Sequence, residues 1–152
     1  MTDDPVIAIQ RFYPQIYLAC HRHHVRAVST SYRLSAQDSG LLTHLDDDQA
    51  VVTGALAKHL GLSASTLSAS VKRLESLGYI VRTPRASDRR QIELRLTAKG
   101  AEAMAGASVL DRRRVVKLLG QLTPSEAKRA MDGLALLARA ARHLQIKQPQ
   151  SR

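Results

Sequence analysis

The sequence predicts a mainly α-helical fold in which two short helices are followed by a two-stranded β-hairpin. Three observations predict it. Apolar residues recur at helical spacing over most of the 152 residues. Within residues 53–78, Gly61 separates two helical segments, and glycine readily takes the left-handed conformation that closes a helix. From residue 79 to residue 96 the pattern changes to β-branched and alternating residues, which is typical of strands.

Residues 5–32 form the first predicted helix, which has a broad apolar face. Pro5 suits a first-turn position, whereas Pro14 is expected to kink or restart the helix. Because so much apolar surface on a terminal helix needs a large partner, we expect this helix to pack against another subunit.

Two short elements precede the helix pair. Ser35 and Asp38 have the spacing of a capping box, which predicts a helix from there to about Leu45. A polar break at residues 46–48 follows. Val51 and Val52 are then predicted to form a brief strand that joins the sheet of the hairpin.

The helix pair is predicted to begin at Thr53 and Ser63, whose hydroxyl groups suit N-cap positions. In the second helix one apolar stripe is expected to be buried; it consists of Leu67, Val71, Leu74 and Leu77. The opposite face is short, polar and basic, which allows close approach to a polyanion. Its candidate contact residues, with the cap, are Ser63, Ser65, Thr66, Ser68, Ala69, Ser70, Lys72 and Arg73.

The hairpin is predicted to have a basic tip. Residues 79–83 and 91–96 form its strands, and residues 84–90 form a turn-rich loop. The charged residues expected to contact nucleic acid here are Arg85, Asp88, Arg89 and Arg90. A helix-turn-helix followed by a basic hairpin is a winged-helix DNA-binding unit, in which the second helix lies in the major groove.

The C-terminal third is predicted to contain two further helices. One is expected to run from the cap Thr97 through Leu122, and the next to start at the capping box of residues 123–126. Since their apolar faces exceed what a small winged helix can cover, we expect a homodimer. A two-fold protein also matches a palindromic DNA site.

Composition is consistent with one cytoplasmic domain. A single cysteine excludes an internal disulfide framework, and no apolar run approaches the roughly 18 residues needed to span a membrane. The N-terminus lacks a signal-peptide pattern. The formal net charge is +10, and residues 51–100 hold nine Lys or Arg against three acids, so the basic excess includes the helix pair and the hairpin.

In residues 53–100 the chain resembles the MarR family of bacterial transcription regulators. The family's wing signature is matched by Asp88, Arg90, Leu96 and Thr97, and the glycine after the hairpin by Gly100. The resemblance implies that the aspartate of the signature orients a wing arginine and that Arg90 inserts into the minor groove. It also implies a sequence-specific, dimeric regulator, with repression as the expected sense.

The resemblance further implies regulation by a small phenolic or aromatic anion that lowers DNA affinity. The expected pocket lies between the dimerisation helices and the winged helix, and its candidate residues are Phe12, Tyr13, Tyr17, His21, His24 and Tyr32. For each of these residues the alternative is an ordinary position in an aromatic core.

The predicted organisation is one MarR-like domain over residues 1–152. Its DNA-binding lobe covers residues 34–100, and residues 5–32 and 101–145 form the dimerisation region. The expected partners are double-stranded DNA, a second copy of the chain and a small-molecule effector, with no membrane and no cofactor.

Three alternatives stay open from the sequence. Cys20 is a candidate redox sensor, although a lone helical cysteine is more often a small buried apolar residue. Cys20 or His21 could share a helix face with His24 for metal sensing, and His44 with Asp46 to Asp48 could complete such a site in three dimensions. No second ligand cluster is nearby in sequence, so no metal site is predicted. A low-specificity architectural DNA-binding protein is the third. Motifs of phosphate-binding loops, dinucleotide sites, nucleophile elbows and zinc proteases are missing, so no enzymatic activity is expected.

Overall fold

The computed structural model describes residues 4–22 and 34–147, with side chains described up to residue 144. It contains two compact units. The first comprises Met1–Val28 and Ser108–Ala135, and the second comprises Ser29–Ala107 and Leu136–Arg152. The elements in chain order are α1 (Pro5–Cys20), α2 (Ala36–Thr43), β1 (Val51–Val52), α3 (Thr53–Leu60), α4 (Ala64–Ser76), β2 (Ile80–Arg85), β3 (Asp88–Leu96), α5 (Ala98–Gly106), α6 (Arg112–Leu119) and α7 (Pro124–Lys147). The mainly α fold with a small antiparallel sheet is confirmed.

The second unit holds the three-stranded sheet, whose strand order is β1-β3-β2. Val51 pairs with Leu94, so the predicted brief strand is confirmed. The predicted loop over residues 84–90 is wrong, because β2 and β3 extend to a two-residue turn and an irregularity lies between Pro84 and Arg85. β2 is an edge strand, where a proline without an N–H is tolerated.

The core of this unit is mainly aliphatic, and the predicted stripe of α4 lies in it. Leu77 is the exception, since it is only half-buried at the C-terminal end of the helix. The chain then turns at Gly78, whose φ of 77° favours glycine. The buried core cluster consists of Leu41, Leu42, Leu45, Leu56, Leu67, Val71, Leu74, Tyr79, Ile80, Leu94 and Ala103.

Most predicted helix starts in this unit are confirmed. Ser35 and Asp38 form a complete capping box, and the hydroxyls of Ser63 and Thr97 cap α4 and α5. The predicted cap at Thr53 is wrong: α3 begins at that residue, and Val52 precedes it with no side-chain cap. The reason is that β1 leads into α3 without an intervening residue.

In the first unit α1 ends earlier than predicted. The helix continues through Pro14 without restarting and ends at Cys20. His21 is extended and forms an isolated bridge with Leu110, and the Asp111 N–H donates to the Cys20 carbonyl at 2.8 Å. Residues 23–32 of the predicted helix lie outside the described residues.

The predicted single helix over residues 97–122 is also wrong. α5 ends at Gly106, and α6 begins only at Arg112. Asp111 restarts the helical structure as an N-cap, with its carboxylate accepting the N–H groups of Arg113 and Arg114. Hydrogen bonds from the Arg114 and Arg113 N–H groups hold the pKa of Asp111 below its usual value against the opposing effect of desolvation.

Helix α7 starts at the predicted capping box, in which Thr123 and Glu126 exchange hydrogen bonds. Large apolar side chains on α1 and α7 are exposed in the single chain. On α1 they are Val6, Ile7, Ile9, Phe12, Tyr13, Ile16 and Leu18, and on α7 they are Met131, Leu134, Leu136, Leu137 and Leu144. No helix within the described residues combines the length and apolarity that a membrane span requires.

Candidate nucleic-acid interface

Helix α4 has a buried apolar side and an exposed polar side. Leu67, Val71 and Leu74 are at most 3% exposed and anchor the helix in the core. The opposite side carries residues with short or polar side chains that are exposed to solvent. They are Ser65, Thr66, Ser68, Ala69 and Lys72.

The first turn of α4 has a small network of hydroxyl groups. The Ser63 Oγ accepts the Thr66 N–H at 3.1 Å and lies 2.7 Å from the Thr66 Oγ1. It also lies 3.1 Å from the Ser65 Oγ. These exposed hydroxyls can exchange partners between one another and an incoming phosphate or base edge.

Ser70 was predicted on the exposed face of α4, and this prediction is wrong. Ser70 is only 4% exposed, and its Oγ accepts a hydrogen bond of 3.4 Å from Gln37 Nε2 on α2. Ser70 therefore joins α4 to α2 inside the protein. The error arises because α2 covers part of the polar face that the helix spacing alone leaves open.

Arg73 also has a partner on α2. Its guanidinium forms an ion pair with Asp38, a residue that is 1% exposed, while the Arg73 side chain itself is 50% exposed. The second carboxylate oxygen of Asp38 accepts the Ser35 N–H at 3.3 Å. The capping spacing predicted the Ser35 contact but carried no signal for Arg73, which lies 35 residues further along the chain.

The wing is held by contacts among its own residues. Arg85 donates to Gln91 Oε1 at 2.8 Å and lies 3.4 Å from Glu93 Oε1. The Asp88 carboxylate accepts the backbone N–H of Arg90 at 3.1 Å, so this aspartate fixes the start of β3. The side chains of Arg89 and Arg90 point into solvent.

A salt bridge joins the wing to α4 and neutralises the only acid of that helix. Arg82 Nε on β2 lies 3.4 Å from Glu75 Oε2. Among the residues that the structure describes, Lys72, Arg89 and Arg90 have no acidic partner. This surface therefore carries uncompensated positive charge, which attracts a polyanion.

An open cavity of about 490 Å³ lies between the wing and α3. Its lining includes Arg85 and Arg90 from the wing and Thr53 to Ala55 from the first turn of α3. The uncapped N-terminus of a helix carries a partial positive charge and free N–H groups. Both walls of the cavity thus favour an anion such as a backbone phosphate.

Residues 34–91, which include α2 to α4 and most of the wing, match a family model described as MarR family. Over this segment the chain is similar to the MarR family. The match supports a DNA-binding transcriptional regulator with a winged helix-turn-helix. A comparison with curated proteins found no match.

Solved structures of this MarR-family fold cover nearly the whole chain. A transcriptional regulator from Thermotoga maritima is 24% identical, with 94% of this chain and 97% of that chain covered and a TM-score of 0.52. MarR itself is 20% identical over 97% and 98% of the two chains, with a TM-score of 0.51. FabT from Streptococcus pneumoniae, solved in complex with DNA, is 20% identical over 91% and 96%, also with a TM-score of 0.51.

The residues predicted for an effector pocket are only partly described. Phe12 and Tyr13 are 46% and 64% exposed. Tyr17 stacks on His21 with ring centroids 4.5 Å apart and on Tyr13 at 6.3 Å. His24 and Tyr32 lie outside the described residues, so the pocket stays a prediction.

Cys20 is a free cysteine and is 1% exposed. A thiol so buried packs as a small apolar side chain, and its exposure gives no support to redox sensing. Asp46, Asp47 and Asp48 lie close enough together to share a metal ion, and they form the group of this kind within the described part of the chain. Asp47 and Asp48 are exposed. Exposed aspartates of this kind are ordinary turn residues, so this cluster does not support a metal site.

Proposed function

We propose that the protein is a homodimeric repressor that recognises a palindromic operator and is released from it by a small aromatic anion. The observation that carries the proposal is the exposed polar side of α4 beside the unpaired arginines of the wing. This combination supplies both components of specific binding, namely charge for phosphates and short polar groups for base edges.

The major groove is the proposed location of α4. Ser65, Thr66 and Ser68 expose hydroxyls that can donate to or accept from base edges and phosphates, and Ala69 can contact a thymine methyl group. Lys72 is the proposed phosphate contact one turn further along. FabT, a protein of similar fold, was solved in complex with DNA, and this supports DNA as the partner.

The wing is the proposed minor-groove element. Arg90, whose backbone is held by Asp88, is the proposed inserted side chain, and Arg89 is a proposed phosphate contact. The 34–100 segment is thus the proposed DNA-binding lobe. Arg85 contributes less than predicted from its charge, because Glu93 and Gln91 already engage its guanidinium.

A second copy of the chain is the proposed partner of the dimerisation region, residues 5–32 and 101–145. The exposed apolar side chains of α1 and α7 support it, since contiguous apolar surface on a soluble protein marks an interaction site. Two copies related by a two-fold axis present two α4 helices to successive major grooves, and this geometry favours a palindrome.

Release by an aromatic anion requires that the ligand bind better to the conformation that does not fit the operator. The stacked rings of Tyr13 and Tyr17 on α1 and of His21 just after it support an aromatic ligand, because flat apolar surfaces stack favourably on one another.

Replacing Arg90 by alanine tests the wing. We expect operator affinity to fall by about tenfold or more, and the salt dependence of binding to weaken by about one ion per lost phosphate contact. The matched control is Arg129→Ala, which removes the same charge from an exposed position on α7. Gel-shift titrations over a range of salt concentrations measure both quantities; equal behaviour of Arg90→Ala and the control would refute the proposed wing contact.

Footprinting on genomic DNA separates a regulator from a low-specificity architectural protein. A discrete protected palindrome is the outcome expected for the proposed repressor. Continuous protection along the DNA would instead favour the architectural function and overturn the proposal.

A further inference from the structure

One edge of the exposed side of α4 is joined to α2 by two polar contacts. The Ser70 Oγ accepts a hydrogen bond of 3.4 Å from Gln37 Nε2, and the Arg73 guanidinium forms an ion pair with Asp38. Ser70 and Arg73 are three residues apart, so both side chains lie on the same edge of the helix. Gln37 and Asp38 are adjacent on α2. We call these two contacts the α2 brace.

Two members of the α2 brace are too buried to contact DNA. Asp38 is 1% exposed and Ser70 is 4% exposed. Both oxygens of the Asp38 carboxylate are also engaged, since one pairs with Arg73 and the other accepts the Ser35 N–H at 3.3 Å. Any effect of Asp38 or Ser70 on DNA binding must therefore act through the position of α4.

The apolar stripe of α4 anchors the helix in the core but fixes its rotation less closely. Leu67, Val71 and Leu74 are held by the burial of apolar surface, which is not directional. A hydrogen bond, in contrast, weakens steeply when its angle or length departs from the optimum. The α2 brace thus supplies directional contacts that set the angle of α4 about its own axis.

This angle matters because the exposed side chains of α4 are short. Ser65, Ser68 and Ala69 reach base edges only from close range. Side chains on an α-helix end about 5–6 Å from its axis, so a rotation of about 20° moves them by roughly 2 Å. A hydrogen bond of about 2.7–3.2 Å to a base edge does not survive that displacement. The long, flexible side chain of Lys72 can still follow a phosphate.

We propose that Asp38 is a positioning residue for base recognition, which acts through Arg73 and is assisted by the contact of Gln37 with Ser70. The α2 brace holds α4 at the angle that sequence discrimination requires, and Arg73 serves in it as a link to α2 and not as a phosphate contact. This role rests on the proposed reading of bases by α4. Because attraction to DNA in general needs only charge, the α2 brace governs the preference for the operator over other sequences.

Asp38→Asn tests the positioning role. The carboxamide has a single acceptor oxygen, so it cannot reproduce the contacts that two carboxylate oxygens make with Arg73 and the Ser35 N–H. Anisotropy titrations at fixed salt use two duplexes of equal length, a genomic segment that wild type protects in footprinting and a random sequence. We expect the ratio of the two affinities to fall by about tenfold, as for lost base contacts. The random duplex should bind at least as tightly as it binds wild type, because the net charge rises.

Two further variants accompany Asp38→Asn. Glu102→Gln makes the same charge change at an exposed position of α5 and should leave the ratio unchanged. Ser70→Ala removes the other contact of the α2 brace without a change in charge, and the exposed Gln37 stays solvated. It should lower the ratio by about threefold, as for one neutral hydrogen bond. Since alanine favours a helix, Ser70→Ala provides the test if Asp38→Asn does not fold.

Salt dependence distinguishes positioning from phosphate contact at the two adjacent cations of α4. Lys72→Met should reduce the slope of log affinity against log salt concentration by about one, as for one lost phosphate contact. Arg73→Met should lower the affinity ratio and leave this slope unchanged. An equal reduction of the slope in both variants would make Arg73 a phosphate contact and overturn its place in the α2 brace.

The affinity ratio also separates positioning from a merely structural role. A smaller folded fraction lowers the affinities for both duplexes in equal proportion, so the ratio stays constant. Ratios in Asp38→Asn and Ser70→Ala equal to that of Glu102→Gln would therefore overturn the proposal. Failure of the proposed function would look different, because wild type itself would then protect no discrete segment of genomic DNA, and the positioning role would fail with it.

Discussion

Replacing Arg73 by methionine should destabilise the protein, although the Arg73 side chain is half exposed, because its partner Asp38 is buried. Methionine keeps the length of the side chain but leaves the Asp38 carboxylate buried. At 1% exposure that carboxylate would retain a single hydrogen bond, the 3.3 Å contact from the Ser35 N–H. The geometry therefore makes Arg73 a positioning residue that joins α4 to α2 as well as a part of the basic surface.

The magnitude follows from the different exposure of the two partners. Removing one partner of a fully buried ion pair costs about 3–5 kcal/mol. Because the Arg73 side chain is 50% exposed, solvent screens the pair, and we expect about 2 kcal/mol for Arg73→Met. For a chain of this length that loss corresponds to a decrease in Tm of roughly 4–8 °C.

Urea unfolding followed by circular dichroism at fixed protein concentration measures the loss. Lys72→Met is the matched control, since it removes the same charge from the neighbouring exposed position and should change stability by less than about 0.5 kcal/mol. The double variant Asp38→Asn, Arg73→Met should be more stable than Arg73→Met alone, because no buried charge is left unpaired. A stability loss in Arg73→Met no larger than in Lys72→Met would refute the reasoning.

Three further variants are tested by thermal unfolding. Gly100→Ala should destabilise by about 2–3 kcal/mol, since its Cβ would overlap the Tyr79 carbonyl oxygen, whereas Gly133→Ala meets nothing within 4 Å and should stabilise by about 0.5–1 kcal/mol; equal stability of the two variants would contradict this account. Burial, and then the charge of His59, lowers the pKa of His44, so the unfolded chain takes up a proton first and stability falls as pH falls below about 6.5. His44→Gln should flatten that dependence below about pH 6.5, and an unchanged slope would count against it.

Local patterns in the sequence predicted the helix-turn-helix well because its determinants are close together in the chain. The stripe that begins at Leu67, the cap at Ser63 and the turn at Gly61 each depend on residues within a few positions of one another. The short strand at Val51 was also predicted, as the brief strand that often joins the sheet of a winged helix.

Several of the differences between prediction and structure arise from contacts between distant residues. Ser70 satisfies the periodicity of an exposed face but is buried against Gln37 of α2. Arg73 is exposed as predicted, but its ion pair with Asp38 of α2 was not predicted. Both partners lie more than 30 residues away in the chain. Similarly, the break between α5 and α6 depends on the pairing of Leu110 with His21, which no spacing within residues 97–122 reveals. Asp38 was predicted only as a capping residue for α2. Its second contact, the ion pair with Arg73, was not predicted from the sequence.

The sheet also determines how firmly the two ends of the wing are held. β1 pairs with β3 only at Leu94 and Glu93, so the base of the wing has neighbours on both edges. Beyond the irregularity at Pro84 and Arg85, β3 is held by β2 alone. Backbone amide hydrogens near Leu94 should therefore exchange with solvent slowly, and those towards Arg90 faster. The part of the wing that would meet DNA is thus the part that opens most readily, and binding would suppress its exchange first.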